Sequence, residues 1–129
     1  MAISGAWVAE VDFVSLGTRR PSGELVHTPV WICRVDDRLC VWTQADSGKV
    51  RRVRRDPRAE VRPCSRRGHV ATDAPRLDVR VSVHEDRAFV ARVEDALRTK
   101  YGLEHRVVGV VERLLRRKRA RRVVLVLEP

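Results

Sequence analysis

The stretch Ala45-Asp46-Ser47-Gly48-Lys49 holds the residues best suited to chemistry. A hydroxyl, a glycine and a mobile cation stand where an apolar run ends and a strongly basic one begins. If a helix starts there, it carries about half a positive charge and several unpaired N–H groups, which attract an anion such as a phosphate. Lys49 and Arg52 are three residues apart and share one helix face. A hydrogen bond from such a cation contributes roughly 1.5–3 kcal/mol, against ~0.3–1 kcal/mol for an exposed helix end. The two side chains therefore dominate the site. It is not a P-loop, because Thr43 stands where the first glycine is required and Val50 replaces the hydroxyl residue.

No other constellation suggests catalysis by side chains. There is no HExxH, no recognisable triad and no pair of carboxylates at a catalytic spacing, so no catalytic residue is nominated. Cys33, Cys40 and Cys64 form no CxxC pair, and His27, His69, His84 and His105 are scattered. Neither a disulfide framework nor a metal site is expected. Cys33 and Cys40 read as small buried hydrophobes.

Strands and short helices must position the basic corner. A strand is expected over Val11–Arg19, then a turn at Arg20-Pro21-Ser22-Gly23. A second strand is expected over Leu25–Val35 and a third over Leu39–Thr43. Asp36-Asp37 is the turn that makes these two a hairpin. Pro29 lacks an N–H, so the second strand is interrupted or an edge there. Ser47–Arg55 reads as a short helix stopped by Asp56-Pro57. Its cations are either a solvated face or a wall beside an anion pocket. Arg58–Cys64 is a fourth strand, and Leu77, Val79, Val81 and Val83 alternate with polar residues in a fifth. Asp86 caps a helix with Phe89, Val93, Leu97 and Tyr101 on one stripe, stopped at Gly102. A further helix carries Val107, Val110, Val111, Leu114 and Leu115. Val123–Leu127 is a last strand in the core. This inventory suggests a mainly β (α+β) fold, a small barrel or strongly curved sheet.

At 129 residues, with 27 Lys plus Arg against 17 acids and a formal charge of +10, one domain over 1–129 with an anionic partner is expected. No apolar run approaches the ~20 residues of a membrane span. The first residues lack the pattern of a signal peptide, so a cytoplasmic protein is expected.

Thr28-Pro29-Val30-Trp31, Leu39–Thr43, Ala45–Val50, Arg54-Arg55-Asp56-Pro57 and Pro63-Cys64 together resemble the flavin/deazaflavin oxidoreductases related to pyridoxamine 5′-phosphate oxidase. The nearest branch is the one dependent on coenzyme F-420, in which Lys100-Tyr101-Gly102 also recurs. The resemblance spans about Asp12 to Leu127. It implies a split β-barrel working as a homodimer, with a cofactor site at the interface and a small organic substrate. It implies F-420 as the cofactor, with FMN second. Thr28, Pro29, Val30 and Trp31 would run beside the ring system, and Thr43, Ser47, Gly48, Lys49 and Arg52 would hold the phosphate end. Pro63 belongs to the same matched set. Gly68-His69-Val70-Ala71-Thr72 departs from the family's Gly-Arg-Pro-x-Gly pattern, and the usual N-terminal helix has only about ten residues of room.

Three alternatives stay open. Trp31 and Trp42 suit core or dimer packing as well as a place beside a ring. The same fold could store a coenzyme or bind haem without catalysis. The cluster Arg116-Arg117-Lys118-Arg119-Ala120-Arg121-Arg122 could bind nucleic acid or an anionic surface, or simply complement a helix C-terminus. No RNA-binding aromatic motif or zinc finger accompanies it, so nucleic acid is not the favoured partner.

Overall fold

A computed structural model describes residues 11–102 and 121–129. The first ten residues, the helix expected over 107–115 and the cluster members 116–120 lie outside the described residues. The strands are β1 (Val14–Arg19), β2 (Leu25–Val30), β3 (Cys33–Val35), β4 (Arg38–Gln44), β5 (Arg58–Pro63), β6 (Leu77–His84) and β7 (Arg122–Glu128). The helices are α1 (Gly48–Arg55) and α2 (Arg87–Gly102).

All seven strands form one antiparallel sheet in the order β2-β1-β5-β6-β7-β4-β3. β2 and β3 occupy opposite edges, yet only Trp31 and Ile32 separate them in the chain. Three Cα–Cα steps of 3.80 Å reach at most roughly 11 Å. The two edges must therefore meet at this corner, and the sheet curls into a barrel. The single strand expected over Leu25–Val35 is thus two strands on opposite edges. The apolar run continues through the crossover, so composition does not mark the break. Pro29 pairs with Ser15 from the outermost strand, where a missing N–H costs no ladder bond. The hairpin at Asp36-Asp37 joins β3 to β4, and both aspartates have positive φ (52° and 59°). Two such residues make a type I′ turn, which matches the twist of flanking strands.

Alternation along the strands builds two cores. Val14, Leu16, Leu39, Val41, Val61, Val79, Leu125 and Leu127 fill the barrel with Ile32 and α1's Val50 and Val53. Cys33, Cys40, Val124 and Val126 face outward and pack beneath Phe89, Val93, Leu97 and Tyr101 of α2. β7 is buried on both faces, which is why it reads as an unbroken apolar run. Asp86 caps α2, its Oδ2 accepting the Phe89 N–H at 3.2 Å.

The β2–β3 crossover is clasped from the end of α2. Lys100 Nζ donates to the carbonyls of Ile32 (2.6 Å) and Val11 (2.9 Å). The Tyr101 hydroxyl donates to the Asp12 carbonyl (2.6 Å) and accepts the Ile32 N–H (3.1 Å). Trp31 stacks on the Tyr101 ring, centroids 5.0 Å apart and planes 22° apart.

Candidate functional site

α1 begins directly after β4. The Ser47 N–H donates to the Gln44 carbonyl at 3.2 Å, and Ser47 is extended (φ −70°, ψ 156°) at the N-cap. Val50 and Val53 plug into the barrel, which leaves Lys49, Arg51, Arg52, Arg54 and Arg55 on the other faces. The first turn holds no acid. A serine at this position normally caps its own helix. Here its hydroxyl makes no such bond, and Oγ is buried with no partner among the described residues. An orphaned buried hydroxyl costs on the order of 1–3 kcal/mol.

Lys49 is half-buried and has no acid beside it among the described residues. Burial, and then the charge of Arg52, push its ammonium below the usual lysine range. Arg52 is tied down. Its Nε donates to Thr18 Oγ1 at 2.6 Å. Its guanidinium lies over Gly48, where an added Cβ would meet Nη1 at 2.8 Å. Burial and then Arg20, Arg51 and Arg55 lower the Arg52 pKa, so this is a crowded cationic corner. Thr18 is fully buried. Sequence reasoning missed it, although one signal existed: it occupies the barrel-facing position that follows Val14 and Leu16.

The remaining candidates divide by sheet face. Directly opposed residues point the same way, so Thr28 (opposite Leu16), Val30 (opposite Val14) and Pro63 (also opposite Val14) share the barrel-side face with Thr18. Thr28 lies two residues from Val26, the partner of Thr18. Thr43 is buried opposite Val123 on the same side of its own strand, next to the Gln44 that holds Ser47. Pro29 and Trp31 do not join this set. Pro29 is exposed on the other face, near Gly68, and Trp31 is packed against Tyr101 and Phe13. Trp42 is covered by the Arg122 guanidinium, 4.6 Å from its ring centroid.

Chemistry of other kinds finds less support. Among the described residues no three His, Cys, Asp or Glu side chains cluster as a metal site would need. Burial, foremost, pushes the Cys33 thiol up to about 12 and raises Cys40 as well, so both stay protonated and unreactive. Arg121 is paired with Glu85, so both described members of the basic cluster 116–122 are engaged within the chain. Among the described residues no helix is long and apolar enough to cross a membrane.

The Ser47 hydroxyl, the Lys49 ammonium, the α1 N–H groups and the Arg52 guanidinium over Gly48 all belong to one helix start whose first turn holds no acid. Such a set fits an oxyanion, and a phosphate above all.

The sequence matches no family model and no curated protein. Solved structures match it throughout. An F420 reductase is 17% identical, covering 100% of this chain and 95% of its own, with a TM-score of 0.57. HutZ, the heme storage protein from Vibrio cholerae, is 13% identical over 100% and 91%, with a TM-score of 0.65. A candidate pyridoxamine 5′-phosphate oxidase from Listeria innocua is 14% identical over 96% and 88%, with a TM-score of 0.64. At these identities the likeness is one of fold. The chain has the split β-barrel of the pyridoxamine 5′-phosphate oxidase type, as the resemblance implied.

Proposed function

We propose that the protein is an oxidoreductase that binds a flavin-type coenzyme at the α1 corner, F-420 first and FMN second. The observation that carries this reading is the buried Ser47 hydroxyl, unpartnered among the described residues, beside a Lys49 that no acid among them neutralises. The shared fold with an F420 reductase and a candidate pyridoxamine 5′-phosphate oxidase supports it. The formal charge of +10 favours the longer anionic tail of F-420 over the single phosphate of FMN.

In this reading Ser47, Lys49 and the α1 N–H groups hold the phosphate, and Thr18 keeps the Arg52 guanidinium aimed at it. Gly48 leaves that guanidinium room. Thr43 supports the turn, while Thr28, Val30 and Pro63 shape the approach to the ring system from the barrel-side face, and Pro29 and Trp31, turned away from it, take no part. The coenzyme, when bound, supplies the hydride chemistry, so the protein needs no nucleophile of its own. The working unit is a homodimer in the cytoplasm with the site at its interface, and the substrate is a small organic molecule.

Titration with F-420 and with FMN, followed by absorbance and fluorescence, tests binding. A shifted or quenched spectrum at micromolar concentration is expected. Turnover of reduced coenzyme with a quinone or unsaturated acceptor then separates an enzyme from a coenzyme store or a haem binder. Absence of any spectral change with both coenzymes refutes the assignment.

A further inference from the structure

The outer face of β1, β5 and β6, turned away from the α1 N-terminus, carries a second group of cations, joined to the other end of α1 by Arg55, which donates to the Arg19 carbonyl, and by Asp56, which holds Arg58. Arg58 on β5 lies directly opposite Arg80 on β6. Arg19 follows Thr18, whose partner Ala59 follows Arg58, so Arg19 extends the same row onto β1. Like charges directly opposite across a sheet destabilise it. The next pair on this face, Glu60 opposite Asp78, is also like-charged, but it is neutralised from within. Arg76 reaches both carboxylates, at 3.8 and 3.2 Å, and Arg62 reaches Glu60 at 3.7 Å.

The arginine row has less relief. Arg58 is held by Asp56 at 2.9 Å. The Arg80 side chain has no hydrogen-bond or ion-pair partner among the described residues, although Glu128 is its register neighbour on β7. Arg19 Nε is buried without an acceptor among the described residues, and its Nη1 reaches the Gly23 carbonyl only at 3.5 Å. Arg19, Arg58 and Arg80 line one cavity of about 420 Å³ together with Glu60, Arg76, Asp78 and Glu128. That volume lies within the range of roughly 300–1,000 Å³ typical of small-ligand sites.

We propose that this cavity is a second anion site and takes a small ligand of the pyrophosphate class. Neighbouring strands are about 4.8 Å apart. One oxyanion therefore bridges two guanidinium groups, and two linked phosphates span the row. Guanidinium forks match phosphate oxygens in pairs. Glu60 and Asp78 are already neutralised, and Glu128 lies at the far end of the row, beyond Arg80. A local rule broken with only partial internal compensation, here from Asp56 on Arg58, is expected where a surface serves a ligand.

The test is calorimetric titration of inorganic pyrophosphate into the Lys49→Ala protein, in which the α1 corner is weakened. Saturable binding is expected, and Arg80→Gln added to that background should weaken it at least tenfold. Arg80→Gln alone should leave the thermal midpoint without ligand unchanged or raise it, since it removes the repulsion with Arg58. Two results overturn the proposal. One is pyrophosphate affinity that is absent or indifferent to Arg80→Gln. The other is a lowered midpoint, which makes Arg80 a structural partner of Glu128.

Discussion

Two lysines on two helices meet opposite fates. Lys100, near the end of α2, gives its ammonium to two backbone carbonyls, and the adjacent Tyr101 hydroxyl both donates and accepts. Every polar group of that clasp is answered by the chain itself, and the clasp closes the barrel where β2 passes to β3. Lys49, in the first turn of α1, is also half-buried, but among the described residues it meets no acid and the hydroxyl beside it has no partner. Buried polar groups in folded proteins are almost always satisfied. The contrast separates a corner that stabilises the fold from one that is completed by a ligand.

The sharpest way to break this contrast is to damage the satisfied corner. Tyr101→Phe removes the hydroxyl and leaves the Asp12 carbonyl and Ile32 N–H without it. The expected loss is about 3 kcal/mol of unfolding free energy in a urea titration. A loss below about 1 kcal/mol would mean that the clasp is not what closes the barrel.

Gly48→Ala sharpens the other side. The new Cβ displaces the Arg52 guanidinium, which is the movable end of a flexible side chain. Stability should fall by no more than about 1–3 kcal/mol, the cost of leaving the buried Thr18 hydroxyl without its donor, partly offset because Ala is the better helix former. Coenzyme affinity should fall, since Arg52 no longer lies across the helix start. Unaltered affinity would remove Arg52 from the site.

The smallest effect concerns pH. The folded pKa of Lys49 lies below its unfolded value near 10.5. Between those two values the unfolded chain binds more protons, so stability rises with pH. This contribution is complete above the unfolded pKa and lost as pH falls through the folded one. Measured against Lys49→Met, the wild type should therefore gain relative stability from neutral pH towards 10.5. Bound anion restores the charge, so coenzyme binding in that window should take up protons. A flat difference between the two proteins would place Lys49 in ordinary solvent.

Much of the architecture was legible because periodicity reports burial. The alternation of Leu77 to Val83 gave β6, the stripe Phe89, Val93, Leu97 and Tyr101 gave α2, and the β-branched run after Arg122 gave a strand covered on both faces. Pro29 marked β2 as an interrupted or edge strand, but the break at Trp31-Ile32 was not legible, because it comes from sheet closure across a continuous apolar run. At the corner, Ser47 to Arg52 was legible from local order alone. The Thr18 tether depends on a contact across 34 residues, and the outward turn of Trp31 on its stacking with Tyr101. The arginine row at Arg19, Arg58 and Arg80 exists only once strand register is known.

The most direct measurement compares the dissociation constants of F-420 and FMN for wild type and Lys49→Ala at matched ionic strength, with unfolding free energy measured alongside. Loss of a charged hydrogen bond predicts weaker binding by about 1.5–3 kcal/mol, with the fold as stable as before or slightly more so. Equal affinity in the two proteins would contradict the claim that the start of α1 grips the anionic end of a coenzyme.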